Sequence, residues 1–85
     1  MAYTLLVIFI ETAVFTEEVK ALLSDDEYRS LQEFMAANPK YGRVLRDTGG
    51  LRKLRWAIEG RGKRGGVRVI YYYVTSDERI RMIYI

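Results

Sequence analysis

The spacing of apolar residues divides the chain into six segments. Tyr3 to Ile10 is a run of Leu, Val and Ile with no helical spacing of polar residues, which predicts a buried strand placed inside a sheet. From Thr12 the period changes. Phe15, Val19, Leu22 and Leu23 recur at helical spacing while Glu17, Glu18 and Lys20 take the other face, so a short amphipathic helix follows. Ser24-Asp25-Asp26-Glu27 has the Ser-x-x-Glu spacing of a capping box, and its carboxylates suit the positive end of a helix dipole. Tyr28, Leu31, Phe34 and Met35 continue that second helix as an apolar stripe, and Asn38-Pro39 ends it.

Beyond Tyr41-Gly42 the period becomes that of strands. Gly49-Gly50 precedes Leu51 to Ile58, where alternation sends Leu54, Trp56 and Ile58 to one side and Lys53 and Arg55 to the other. Residues 60–66 hold four glycines and three cations and read as a loop; Val67 to Val74 is a strong strand, Ser76-Asp77-Glu78 a turn, and Arg79 to Ile85 a last strand. The expected order is β-α-α-β-β-β in a single α+β domain spanning 1–85. Its last three strands form a meander in a twisted, mainly antiparallel four-stranded sheet, with both helices on one face and the cations on the other.

Composition narrows the chemistry. The chain has no Cys and no His, which excludes a disulfide framework, a thiolate nucleophile, a zinc site of the Cys/His kind and imidazole acid–base catalysis. No cofactor or metal is expected. The apolar run near the N-terminus is too short to span a bilayer and follows no basic segment of the secretory kind, so a cytoplasmic protein without a membrane partner is expected. The net charge of +3 conceals an asymmetry: residues 1–42 carry three basic side chains against seven acidic, and residues 43–85 carry eleven against four. Seven of those eleven lie between Arg52 and Arg68, a density that points to phosphate, and to nucleic acid first.

Lys53, Arg55 and Arg68 are the candidate catalytic group. If strands 51–58 and 67–74 pair through the intervening loop, the three cations converge on one face. Such a cluster can hold a scissile phosphate and stabilise the added charge of a pentavalent transition state. Two guanidinium groups beside Lys53 would also disfavour its protonated form, letting it take the proton of a ribose 2′-hydroxyl, a route to RNA cleavage without imidazole or metal. The plainer alternative is a solvated basic face that only binds phosphate. Arg52, Arg61, Lys63 and Arg64 are candidate RNA contacts, the last three among glycines that let the backbone approach a phosphate chain; a merely soluble hairpin loop is the alternative. Gly60-x-Gly62-Lys63 lacks the spacing of a nucleotide-binding loop. Tyr72 shares the side of Arg68 and can stack on a base, whereas Tyr71 and Tyr73 belong on the packed side. The run Asp25-Asp26-Glu27 is better explained by helix capping than by magnesium binding.

The residues Gly49-Gly50-Leu51-Arg52-Lys53-Leu54-Arg55-Trp56, followed by Gly60-Arg61-Gly62-Lys63-Arg64-Gly65-Gly66-Val67-Arg68-Val69-Ile70-Tyr71-Tyr72, resemble the HigB-type branch of the RelE toxin superfamily, and the segment from Ile10-Glu11-Thr12 to Leu23 fits that branch too. The resemblance implies a RelE-like fold and a toxin of a type II toxin–antitoxin system. It also implies ribosome-dependent, metal-independent endoribonuclease activity on mRNA. Its implied partners are the ribosome, mRNA and a helix-turn-helix antitoxin of the HigA kind, with operator DNA reached only through the antitoxin complex. Carried over by position, Lys53 and Arg55 match the family's basic pair on the central strand and Arg68 the arginine that opens the next strand. Family members continue past the final strand into a tail with another basic residue and, in many, an aromatic one; this sequence stops at Ile85. The alternatives are therefore a noncatalytic RNA- or ribosome-binding module and a module that binds the antitoxin alone.

Overall fold

The computed structural model describes residues 7–58 and 66–85. Its elements are β1 (Ile8–Glu11), α1 (Ala13–Leu22), α2 (Asp25–Ala37), β2 (Arg43–Val44), β3 (Arg52–Trp56), β4 (Val67–Val74) and β5 (Arg79–Tyr84). Both helices begin where side chains cap them. Thr12 accepts from the Phe15 N–H, and Ser24 and Glu27 complete the expected capping box, which satisfies amide groups that the first turn leaves without carbonyls. The second helix ends at Ala37 with Asn38 as its cap, just before Pro39.

The five strands form one mixed sheet in the order β1-β5-β4-β3-β2, so the α+β class stands and the expected count of four strands is corrected to five. The added strand is the two-residue β2, too short to leave a period in the sequence. β1 is also an edge strand, paired parallel to β5 on one side, rather than a strand inside the sheet; Phe9 packs toward the core while Ile8, on the opposite face, is 54% exposed. The other three pairings are antiparallel.

Both helices supply side chains to one face of this sheet. Phe15, Val19 and Leu23 of the first helical segment and Leu31 and Met35 of the second close over Leu54, Ile58, Val69, Tyr71, Ile80 and Met82 in one buried cluster. Phe34 stands between two aromatic rings, with centroids 5.2 Å from Trp56 and 5.0 Å from Tyr41, the latter edge-on. The packed side also holds the polar groups that do not face water. Tyr28 donates to Glu11 Oε2 and Thr16 donates to Glu11 Oε1, tying β1 to both helices. Tyr71, fully buried in the sheet centre, accepts from the Gly42 N–H and donates to the Pro39 carbonyl, both at 2.9 Å.

That clamp explains Gly42. A β-carbon there would lie 2.7 Å from the Tyr71 hydroxyl oxygen, so only glycine fits under the phenol. Arg52 adds hydrogen bonds to the carbonyls of Lys40 and Gly42 at 3.1 and 2.8 Å. The turn before β2 is thus held from below by β3 and β4, which fixes Tyr41 and Arg43 on either side of the glycine.

Candidate nucleic-acid interface

Alternation decides what the opposite, open face of the sheet carries. Leu54, Val69, Tyr71, Ile80 and Met82 point to the helices, so their neighbours Lys53, Arg55, Arg68, Ile70, Tyr72, Arg79 and Arg81 point away. The pairings then set rows across the strands. Arg55 is the direct partner of Arg68. One step along, Arg43 pairs with Lys53, Lys53 with Ile70, and Ile70 with Tyr84. Further rows join Tyr72 to Arg81 and Ile10, and Val74 to Arg79 and Ile8.

Lys53, Arg55 and Arg68 therefore come to one place, as their spacing predicts: Arg55 and Arg68 face each other, exposed, and the half-buried Lys53 lies diagonal to Arg68. Like charges directly across a strand pair are destabilising, and among the described residues no acid forms an ion pair with either arginine. Among the described residues the one ion pair is Arg79 Nε to Asp77 Oδ2 at 3.5 Å, at the far end of the face. Tyr72 shares the open side, its ring close against Gly50, where a β-carbon would come within 3.2 Å. Arg52 takes the other direction: as the partner of Tyr71 it belongs to the packed side and is engaged with the turn carbonyls. Arg61, Lys63 and Arg64 lie outside the described residues, as do residues 3–6 of the first predicted strand.

Sequence reasoning left out four cationic or aromatic residues of this face, Arg43, Arg79, Arg81 and Tyr84. Arg79 and Arg81 repeat the cation-x-cation alternation of Lys53 and Arg55, a signal that was present in the last strand. Arg43 depends on β2 and on the Gly42 clamp, which no local pattern announces. Tyr84 depends on a bulge. Tyr71 pairs with Met82 but Ile70 pairs with Tyr84, so Ile83 is an extra residue in β5, and Tyr84 moves to the open face while Ile85 turns into the core. Thr12 donates to the Ile83 carbonyl at 2.8 Å, anchoring the bulge to the start of α1.

Two hollows flank Lys53. One, of about 560 Å³, is bordered by Lys53, Arg68, Ile70 and Tyr84 and reaches Leu22 and Ile85; the other, of about 500 Å³, is bordered by Tyr41, Arg43, Lys53 and Arg55. Shifted titrations occur on the packed side. Burial, with the Glu11 carboxylate beside it, pushes the Tyr28 phenol well above its ordinary value, and burial raises Tyr71 as well. Among the described residues no three carboxylates gather as a metal site, and no helix is long and apolar enough to cross a membrane. No protein-family model matches this chain.

Proposed function

We propose that this chain is a RelE/HigB-type toxin that cleaves mRNA on the ribosome and inhibits translation, and that a helix-turn-helix antitoxin encoded beside it covers the basic face. The observation that carries the reading is the Arg55–Arg68 cross-strand pair with Lys53 diagonal to it, cations held together with no acid among the described residues to balance them. A phosphodiester supplies the missing charge. Its non-bridging oxygens accept from the two guanidinium groups, and the added charge of the pentavalent transition state strengthens those bonds. Lys53 takes the proton of the 2′-hydroxyl as its oxygen attacks phosphorus. The bond from phosphorus to the 5′-oxygen breaks, and that oxygen takes a proton from water, leaving a 2′,3′-cyclic phosphate and a 5′-hydroxyl.

Lys53→Ala and Arg68→Ala are each expected to lower the single-turnover cleavage rate on programmed ribosomes by ~10²-fold or more while ribosome binding changes little, because an interaction made chiefly in the transition state is lost. Arg61→Ala is expected mainly to weaken binding. Cleavage at the parent rate in the Lys53/Arg68 double variant would remove the proposed active site. A second reading rests on one observation: among the described residues no carboxylate is ion-paired to Arg55 or Arg68, so none stands beside that pair to return a proton to the 5′-oxygen, which suits a module that binds RNA or ribosomes without cutting. That reading predicts salt-sensitive binding with no cyclic-phosphate product.

A further inference from the structure

The two edges of the sheet are finished differently. β2 closes one edge with two residues, one of them Arg43, and shortness and charge are common means of keeping an edge strand from pairing with another chain. β1 closes the other edge with four residues, Ile-Phe-Ile-Glu, and has neither a proline nor a basic side chain. Its one charge is engaged: the Glu11 carboxylate accepts from Tyr28 and Thr16 on the helix side. The pairing with β5 also fixes where the backbone of the strand points. The Ile8 N–H donates to the Glu78 carbonyl at 3.3 Å and the Thr12 N–H to the Met82 carbonyl at 3.0 Å. Residues 8, 10 and 12 therefore turn their backbone groups toward β5, and the N–H and C=O groups of Val7, Phe9 and Glu11 point off the sheet. On the open face beside them Ile8 is 54% and Ile10 36% exposed.

We propose that a second copy of this chain docks on this edge, the two β1 strands pairing antiparallel about a two-fold axis that passes between their Phe9 residues. The strand is complementary to itself in that register. Phe9 meets the partner's Phe9 and Val7 meets the partner's Glu11, each pair exchanging two backbone hydrogen bonds between groups that point off the sheet. Between these pairs Ile8 lies opposite the partner's Ile10, and Ile10 opposite the partner's Ile8, at the close positions that share no hydrogen bond, so four exposed isoleucines form one apolar band. Centring the axis on Ile10 instead would set Phe9 against Glu11, and Ile8 beside Thr12, where the chain turns into α1. The row Tyr72–Arg81–Ile10 continues into the partner's Ile8 and the partner's Arg79, which keeps the arginines three strand spacings apart, about 14 Å at ~4.8 Å each. The axis stands perpendicular to the sheet, so the two five-stranded sheets join with both basic faces on the same side. Five paired residues cover less than the ~800 Å² per partner of a standard interface, and the dimer is expected to be weak and concentration-dependent. Nothing in this inference depends on RNA.

Sedimentation velocity from about 1 µM to about 1 mM, the range in which weak interfaces associate, tests this. The parent should pass from monomer toward dimer, and added salt should strengthen the association, because each copy carries a net charge of +3 and screening weakens their repulsion. Ile8→Lys changes an exposed side chain, so the urea midpoint should stay that of the parent, while the dissociation constant rises ~10-fold or more because the new charge enters the apolar band twice. Cross-linking reads the register, in a chain that has no Cys of its own. Under oxidation, an equimolar mixture of Ile8→Cys and Ile10→Cys should give the mixed disulfide well ahead of either variant alone. Positions 8 and 10 lie directly opposite, within the ~4.4–6.8 Å between α-carbons that a disulfide spans, whereas like positions lie on the diagonal at ~7–8 Å. A parent that stays monomeric at about 1 mM overturns the proposal. So does a dimer that salt dissolves, one that Ile8→Lys leaves intact, or one in which the mixed disulfide forms no faster than the others.

Discussion

Arg52 and Arg55 are three residues apart on β3 and meet opposite surroundings. Arg52, on the helix side, gives hydrogen bonds to two turn carbonyls and closes the clamp around Gly42. Arg55, on the open side, looks across the strand pair at Arg68, with no acid among the described residues in reach of either. The same contrast holds for tyrosine: Tyr71 is fully buried with its hydroxyl both donating and accepting, while Tyr84 is turned outward by a bulge. On one face each polar group is placed where it stabilises the fold. On the other, charge and aromatic surface are arranged at a cost in stability, and that cost makes sense where a negatively charged ligand offsets it.

The largest expected effect lies on the packed face. Phe15→Ala removes a side chain with no solvent exposure, sealed between α1, α2 and the sheet, and should cost about 3–5 kcal/mol, a large part of the ~5–15 kcal/mol that holds a small domain folded. Urea denaturation followed by circular dichroism reads this directly. A loss of under 1 kcal/mol would mean that the helix layer contributes far less than its burial implies.

Tyr71→Phe is a smaller and more pointed change. The ring and its packing stay, but the Gly42 N–H loses its acceptor and the Pro39 carbonyl its donor, so the loss should be about 1–3 kcal/mol. Because the clamp also sets the start of β2, where Arg43 pairs with Lys53, RNA should also bind less well. A fall in stability with RNA binding untouched would separate the clamp from the open face.

Alkaline titration distinguishes the two faces without mutation. Tyr28 and Tyr71 have phenols raised above their ordinary value, chiefly by burial, so the folded state prefers them protonated. Their contribution is fully present below the unfolded value near 10 and is lost as pH rises above it, when the unfolded chain ionises and the folded chain resists. Stability should therefore fall above pH ~10, and Tyr28→Phe should flatten that fall by removing one of the two groups. An equally steep fall in the Tyr28→Phe, Tyr71→Phe double variant would place the alkaline transition elsewhere.

How much of this was legible beforehand follows the physics of each element. Periods of 3.6 and 2 and the Ser24–Glu27 capping box located both helices and β3 to β5, because each is set by side chains a few residues apart. The convergence of Lys53, Arg55 and Arg68 was legible for the same reason, since alternation and one hairpin pairing suffice to predict it. The edge position of β1 was not, as a run of Leu, Val and Ile reports apolarity and not which neighbours the strand has. β2 with Arg43, and Tyr84, were hidden because they depend on contacts between residues 29 positions apart, Gly42 and Tyr71, and on one extra residue in a strand. Arg43 and Tyr84 are thus fixed by tertiary structure, whereas Arg79 and Arg81 carried a local alternation that was passed over.

The smallest expected effect is the sharpest test of the contrast between faces, because its sign is opposite to the others. Arg55→Thr removes one of two guanidinium groups that the Arg55–Arg68 pairing sets directly opposite each other, and puts a good strand former in its place. Relief of a like-charge cross-strand pair should raise stability by about 0.2–1 kcal/mol. The gain has a salt signature: at 1 M salt, where charges are screened within ~3 Å, the variant and the parent should converge, whereas the loss in Phe15→Ala should persist. RNA binding moves the other way, with weaker affinity and a salt slope reduced by about one, since one phosphate contact is gone. The check is a pair of urea titrations at low and high salt with the slope m unchanged, so that the midpoint shift reports stability alone. An Arg55→Thr variant that is less stable than the parent at both salt concentrations would show that the two arginines support the fold, and the case for a face held at a cost for its ligand would fail at its central pair.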